Sequence, residues 1–333
     1  MTPRALLGAA LATLLAAAGS LAQSPTTITS LTLFAGTDEG LWRSGDWGRS
    51  WERVTGQATG VRLDALGAAK LVVPIGPQVY VAGDGGLYAS DDFGDTWRPV
   101  SLTKGISRLL LSRWPQSDPT VFAGTDRGLL RSRDGGHNFA PTSLTSGPVR
   151  RIEWPGPALV VASGQGLLVS MDEGVSFEGP GRGLPEGEVR AMALSSFFAV
   201  DPVLFAAPAA GGVFRSSDGG QSWEGAGLAD QVVGDLVWLG PFLYAAAEGG
   251  FFRSDDTGRS WTRLSDSPGR PAELMFPLAP AAGLEAFLAT DRGVFRTADA
   301  GRTWTPSGFE GQAVLTVATF PPPRPDLELD PGR

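Results

Sequence analysis

One eight-residue pattern recurs seven times and limits what this chain can fold into more than any other feature. Its clearest copy is Ser216-Ser217-Asp218-Gly219-Gly220-Gln221-Ser222-Trp223: a hydroxyl, an Asp two further on, a Gly two after that, and an aromatic five after the Asp. This box occupies 44–51, 90–97, 132–139, 170–177, 216–223, 254–261 and 297–304. Its acids are Asp46, Asp92, Asp134, Asp172, Asp218, Asp256 and Asp299, spaced 38 to 46 residues apart, and its aromatics are Trp51, Trp97, Phe139, Phe177, Trp223, Trp261 and Trp304. A further glycine precedes each Asp by six, from Gly40 to Gly293. A repeat of this length made of short strand-like runs and turns implies a β-propeller, because one such unit cannot bury its own apolar face and must stack on its neighbours.

Each box reads as a hairpin whose turn is built from side chains. Glycine takes positive φ where the chain reverses, and the Asp and hydroxyl accept bonds from turn amides that a short loop leaves unpaired. The aromatic then opens the outermost strand and is expected to pack on the residue four before the Asp (Trp42, Tyr88, Leu130, Leu168, Phe214, Phe252 or Phe295). Cross-strand pairs of this kind contribute about 0.2–1 kcal/mol each. Upstream of each box lies a strand ending in small residues, such as Val121-Phe122-Ala123-Gly124-Thr125, and before it a third apolar run. The expectation is all-β: seven blades of four antiparallel strands. The first blade lacks an inner strand, whereas Ala313 to Thr319 forms a strand without a box, so the carboxy-terminal run is expected to complete blade 1. Blade 2 is expected to run from Val61, with an irregular stretch from Lys70 to Pro77 between its first two strands.

Residues 1–22 fall outside this pattern. Arg4, an Ala/Leu-rich run and small residues before Gln23 make a secretory signal. The propeller takes residues 23–320, and residues 321–333 form a Pro-rich acidic tail. The expected location is extracytoplasmic, without membrane insertion once the signal is removed. The absence of cysteine excludes thiol chemistry and disulfides, leaving packing and ring closure to stabilise the fold. A net charge of −8 argues against nucleic acid as a partner.

Function is expected where the repeat varies. At or near the starts of the inner strands stand Arg62, Arg108, Arg150, Arg151 and Arg190, with Asp235 and Glu273 at the corresponding places in blades 6 and 7. A basic arc on an acidic protein suits a carboxylate, an acidic peptide or an anionic glycan; pairing with Asp64, Glu153 and Glu188 is the competing explanation. The box acids are read as structural, since repetition spreads them around a rim. The sole histidine, His137, lies in a box, which removes His-based triads and His metal clusters. No catalytic residue, metal or cofactor is assigned. A carboxylate pair drawn from Asp64, Glu153, Asp235 and Glu273 is the one enzymatic arrangement left open. Trp47 and Trp114 are candidate exposed aromatics.

The repeated Ser-x-Asp-x-Gly-x-Ser/Thr-Trp resembles the BNR or Asp-box repeat of sialidases, sortilin-type receptors, xyloglucanases and photosystem II assembly and stability factors. Seven even repeats in a compact secreted chain are most similar to the last group. That resemblance implies a non-enzymatic, monomeric propeller that scaffolds membrane-protein assembly in the cell envelope by binding protein or peptide, with an arginine patch. Sialidases are a poorer match: they have six blades and a central Tyr–Glu pair, for which this chain has no suitably placed Tyr. A carbohydrate-binding or glycoside-hydrolase-type propeller is the alternative.

Overall fold

A computed structural model describes residues 32–55, 69–75, 78–112, 117–195, 198, 200–277 and 285–320. The expected leader, the tail, Arg62, Asp64 and Trp114 lie outside them. Seven sheets form seven blades, and blade 1 is closed by the carboxy-terminal strand Val314–Phe320. That strand pairs antiparallel with Thr32–Thr37, from Thr32↔Phe320 to Thr37↔Val314, so the two ends of the propeller share one sheet.

The core is divided among the seven blade interfaces. Phe34 and Leu41 of blade 1 pack with Val79, Tyr88 and Trp97 of blade 2, and equivalent clusters join every consecutive pair, including blades 7 and 1. Each box aromatic enters the cluster shared with the preceding blade. In blades 2 to 6 the aromatic shares that cluster with the residue four before the Asp, as expected. In blade 1, Trp42 and Trp51 both stand against Phe309, at 5.5 and 5.1 Å between ring centroids, and Trp51 donates to Ser307 O of blade 7. Trp304 stands edge-on to Phe251 of blade 6 at 5.2 Å.

The box turn has one geometry throughout. In the first copy, Ser44 Oγ donates to Asp46 Oδ1 at 2.8 Å and accepts from Gly48 N at 2.9 Å. Asp46 Oδ1 accepts from Ser50 N at 2.9 Å, and Oδ2 from Ser50 Oγ at 2.6 Å. The same four bonds recur in the other six copies, with Asn138 Nδ2 as the last donor in blade 3. A second recurring turn went unread in the sequence. Thr37, Thr125, Ser163 and Thr290 each donate to the carbonyl three residues on and accept an amide two residues on, closing the hairpin between the second and third strands.

Two blades depart from expectation. The inner strand of blade 2 is Ala69–Ile75, all but its first residue in the stretch read as irregular, and Pro74 sits in it opposite Val79. An innermost strand is a sheet edge, where one missing N–H is tolerated. Blade 4 has three named strands, its outer strand reduced to the bridge Val169↔Glu178. Beyond Gly179-Pro180 the chain leaves its own sheet: Gly181 N and Arg182 N donate to Gly220 O and Gln221 O of the next box. Proline cannot supply the next ladder donor, and the segment becomes a strap across blades 4 and 5.

Candidate functional site: the two ends of the axial channel

The inner strands begin on the same face as the turns between second and third strands, because Val149 pairs with Ser163 and Ile106 with Thr125 at that end. All seven inner-strand pairings slip by one residue there. Such a bulge re-aims neighbouring side chains. The skipped residues are Leu315, Lys70, Ser107, Arg150, Arg190, Gly234 and Ala272. The next are Thr316, Leu71, Arg108, Arg151, Ala191, Asp235 and Glu273. The expected arc is thus two sets of residues: Arg150 and Arg190 at the skipped position, Arg108 and Arg151 one place further along with Asp235 and Glu273. Arg62 lies outside the described residues; the inner strand of blade 2 starts at Ala69.

The upper mouth is a cavity of about 270 Å³ lined by Arg108, Arg150, Arg190, Arg270 and Glu248 around Gly234, Pro271, Ala272 and Leu315. Arg150 Nε donates to Glu188 Oε1 at 2.6 Å, while Arg190 Nε stands 4.0 Å from the other oxygen. Arg270 Nε lies 3.3 Å from Glu248 Oε1. Burial lowers the Arg108 guanidinium below its ordinary value, with Glu273 opposing that, and Arg108 donates to the Arg150 and Ser107 carbonyls. Arg108 answers the acids beneath it, so at the mouth the three guanidiniums of Arg150, Arg190 and Arg270 face the two carboxylates of Glu188 and Glu248, a local positive excess of one. The side chains of Arg150, Arg190 and Arg270 are 45%, 40% and 71% exposed, so their ion pairs are weak and exchangeable. Arg270 was not singled out in the sequence; it precedes its strand by one residue and has no repeat counterpart.

Beneath the mouth the channel is crossed by a septum of buried polar groups. Asp235 accepts from Leu236 N and from Leu274 N of blade 7, both at 2.9 Å, and pairs with Arg151 of blade 4. Glu273 accepts from Thr316 Oγ1 at 2.7 Å and Val317 N at 3.2 Å, tying blade 7 to blade 1. Asp235 raises the Arg151 pKa, and burial works against it. Below this layer lies a second cavity of about 370 Å³ that includes Arg151, Glu153, Met192 and Trp238.

The other candidates are ordinary. Trp47 lies under the Arg296 guanidinium, 5.3 Å from its ring centre, and packs on the blade 7–1 core. His137 Nδ1 contacts Asp134 O within its own turn. Among the described residues no group of three His, Cys, Asp or Glu side chains is arranged to hold a metal ion.

A scan against protein-family models finds no match, and a search of curated proteins finds none. Among solved structures the chain is similar to YCF48 from Cyanidioschyzon merolae (16% identity, TM-score 0.54), covering 83% of this chain and 95% of that one. It is also similar to YCF48 bound to D1 peptide, at 18% identity and TM-score 0.51 over 68% of this chain and 77% of that one. An ancestral GH74 enzyme aligns at 13% identity and TM-score 0.57, covering 82% of this chain but only 52% of the enzyme. At these identities the likeness is one of fold: a seven-bladed propeller resembling YCF48-like assembly factors.

Proposed function

We propose that this protein is a non-enzymatic, extracytoplasmic scaffold or assembly factor of the Asp-box type, gripping an acidic or carboxylate-bearing peptide segment of an envelope partner at the upper mouth. One observation carries the reading: three solvent-open arginines, Arg150, Arg190 and Arg270, ring a shallow cavity and face only two carboxylates, Glu188 and Glu248, on an otherwise acidic protein. Guanidinium forks match carboxylates in pairs. The similarity to YCF48, one structure of which holds a D1 peptide, supports a peptide as the ligand. Two of the four carboxylates suggested for glycoside hydrolysis, Asp235 and Glu273, suit that role badly. Asp235 and Glu273 are each engaged by two donors besides nearby arginines, and a group so occupied is poorly placed to pass a proton.

The test is a titration of the secreted protein with a fluorescent Asp/Glu-rich peptide, alongside a sulfated oligosaccharide, at low and high salt. The triple variant Arg150→Ser/Arg190→Ser/Arg270→Ser leaves the septum intact. Peptide binding that weakens with salt and drops at least about tenfold in the variant is expected. Equal binding by both proteins overturns the reading, and preference for the sugar shifts it to an anionic glycan.

A further inference from the structure

The septum leaves one charge unanswered. Arg108 and Arg151 supply two positive charges, whereas Asp235, Glu273 and Glu153 supply three negative ones along the same stretch of channel. Asp235 and Glu273 have their donors. Glu153, at the end of the blade 4 inner strand, has no hydrogen bond or ion pair among the described residues, and Arg151 beside it is committed to Asp235. Burial raises the Glu153 carboxyl above the ordinary range; Arg151 pulls it back and Asp235 pushes it further.

Glu153 opens into the lower cavity of about 370 Å³, whose walls include Met192, Leu194, Val237 and Trp238. The Trp238 ring is held edge-on against Phe205 at 5.4 Å, so this wall is firm before anything enters. Glu153 is half-buried, and a carboxylate at the wall of a cavity with no donor from the protein is well placed to meet a cation that enters. With no second and third ligand at hand, a bare metal ion is poorly served. An aliphatic stem ending in a positive charge suits both halves of the cavity, since the stem can pack on the walls and the cation can lie against Trp238 or Glu153.

We propose that the lower cavity binds an organic monocation, a primary ammonium or guanidinium on a short aliphatic stem, with Glu153 answering its charge and Leu194, Val237 and Trp238 packing its stem. A free alkylamine and the Lys or Arg side chain of a peptide both present this chemistry. The site stands apart from the arginine mouth, and either can fail without the other.

The experiment follows the Trp238 indole N–H resonance, assigned with Trp238→Phe, as the secreted protein is titrated at pH 8 with n-butylammonium, n-butanol or acetyl-Gly-Lys-Gly-amide. Saturable binding of butylammonium at least about tenfold tighter than butanol is expected, with a similar loss in Glu153→Gln. Tighter binding of the peptide than of butylammonium identifies a side chain as the natural source, and the reverse identifies a free amine. Equal binding of butanol, an unaffected Glu153→Gln variant, or no saturable shift overturns the proposal. The butanol comparison uses the unmodified protein and so decides the matter even where Glu153→Gln does not fold.

Discussion

The rim and the axis of this propeller are built on the same sevenfold repeat and use it in opposite ways. At the rim, seven Asp side chains make the same bonds to their own turns. At the axis, the seven residues following the bulge are Thr316, Leu71, Arg108, Arg151, Ala191, Asp235 and Glu273, neighbouring blades sharing a chemistry only in the pairs Arg108–Arg151 and Asp235–Glu273, which are set against each other. A local turn needs nothing from the next blade, so the solution can be copied. The axis is where all blades meet, and identical charged groups there would repel one another. Single residues at the axis therefore carry roles that nothing else shares, while the rim divides one role among seven copies.

Acid is the broadest way to break this contrast, because it acts on all the boxes together. Hydrogen bonds from Ser50, Ser176, Ser222 and Ser260 hold Asp46, Asp172, Asp218 and Asp256 down to about 2, from an ordinary 3.8. A carboxylate depressed by folding contributes stability that is fully present above its unfolded value and lost as the pH falls through the folded one. Circular dichroism should show cooperative unfolding between about pH 4 and pH 2. A protein that keeps its sheet signal and its melting temperature down to pH 2 would remove the boxes from the account of stability.

The axis should break at a single residue. Asp235 is 2% exposed and joins blades 4, 6 and 7. Asp235→Ala leaves Arg151 and the Leu274 amide without their partner, a loss of about 3–5 kcal/mol by denaturant unfolding. Replacing any one box acid, which faces solvent and serves only its own turn, should lower the midpoint less. Equal losses at rim and axis would erase the distinction.

That distinction also explains what the sequence disclosed. The box is legible because its function is local: a hydroxyl and an Asp at fixed spacing satisfy amides a few residues away, so spacing carries the geometry. The axis is illegible for the same reason reversed. A one-residue bulge separates Arg150 from Arg108 although both seem to start an inner strand, and nothing near Arg270 in the chain shows that it meets Glu248 at the mouth. Pro74 made a true strand look like a loop, since a proline is tolerated there only because that strand is the edge of its sheet. The hydroxyl three residues before Gly40, Gly128, Gly166 and Gly293 was in plain view and could have given the second turn.

Smaller effects sharpen the comparison inside the rim. Trp97 and Trp223 donate to carbonyls of their own boxes, and Trp51 and Trp261 to the preceding blade. Trp304 Nε1 is buried with no partner among the described residues. Blades 3 and 4 already use Phe at this place. Trp304→Phe should therefore fall within about 1 kcal/mol of the parent, whereas Trp97→Phe, which strands the Gly94 carbonyl, should cost about 1–3 kcal/mol. Matched losses in thermal melts would mean that ring volume, not the indole donor, decides.

The residue after each box Asp tests whether the seven copies are as equivalent as they look. It is left-handed in every copy: φ is 64° at Trp47, 60° at Phe93, 57° at Glu173, 57° at Thr257 and 60° at Ala300, with Gly135 and Gly219 in the other two blades. A side chain there crowds the following carbonyl, most of all when it branches at Cβ as threonine does. Thr257→Gly removes that strain, but it widens the unfolded ensemble and gives up the bond from Thr257 Oγ1 to Asp256 O. The balance should favour glycine by about 0.5 kcal/mol, a rise of about 1–2 °C in Tm for a domain of this size. A fall in Tm would mean that the strained hydroxyl holds its turn better than glycine does, and the blades with glycine would then be the weaker ones.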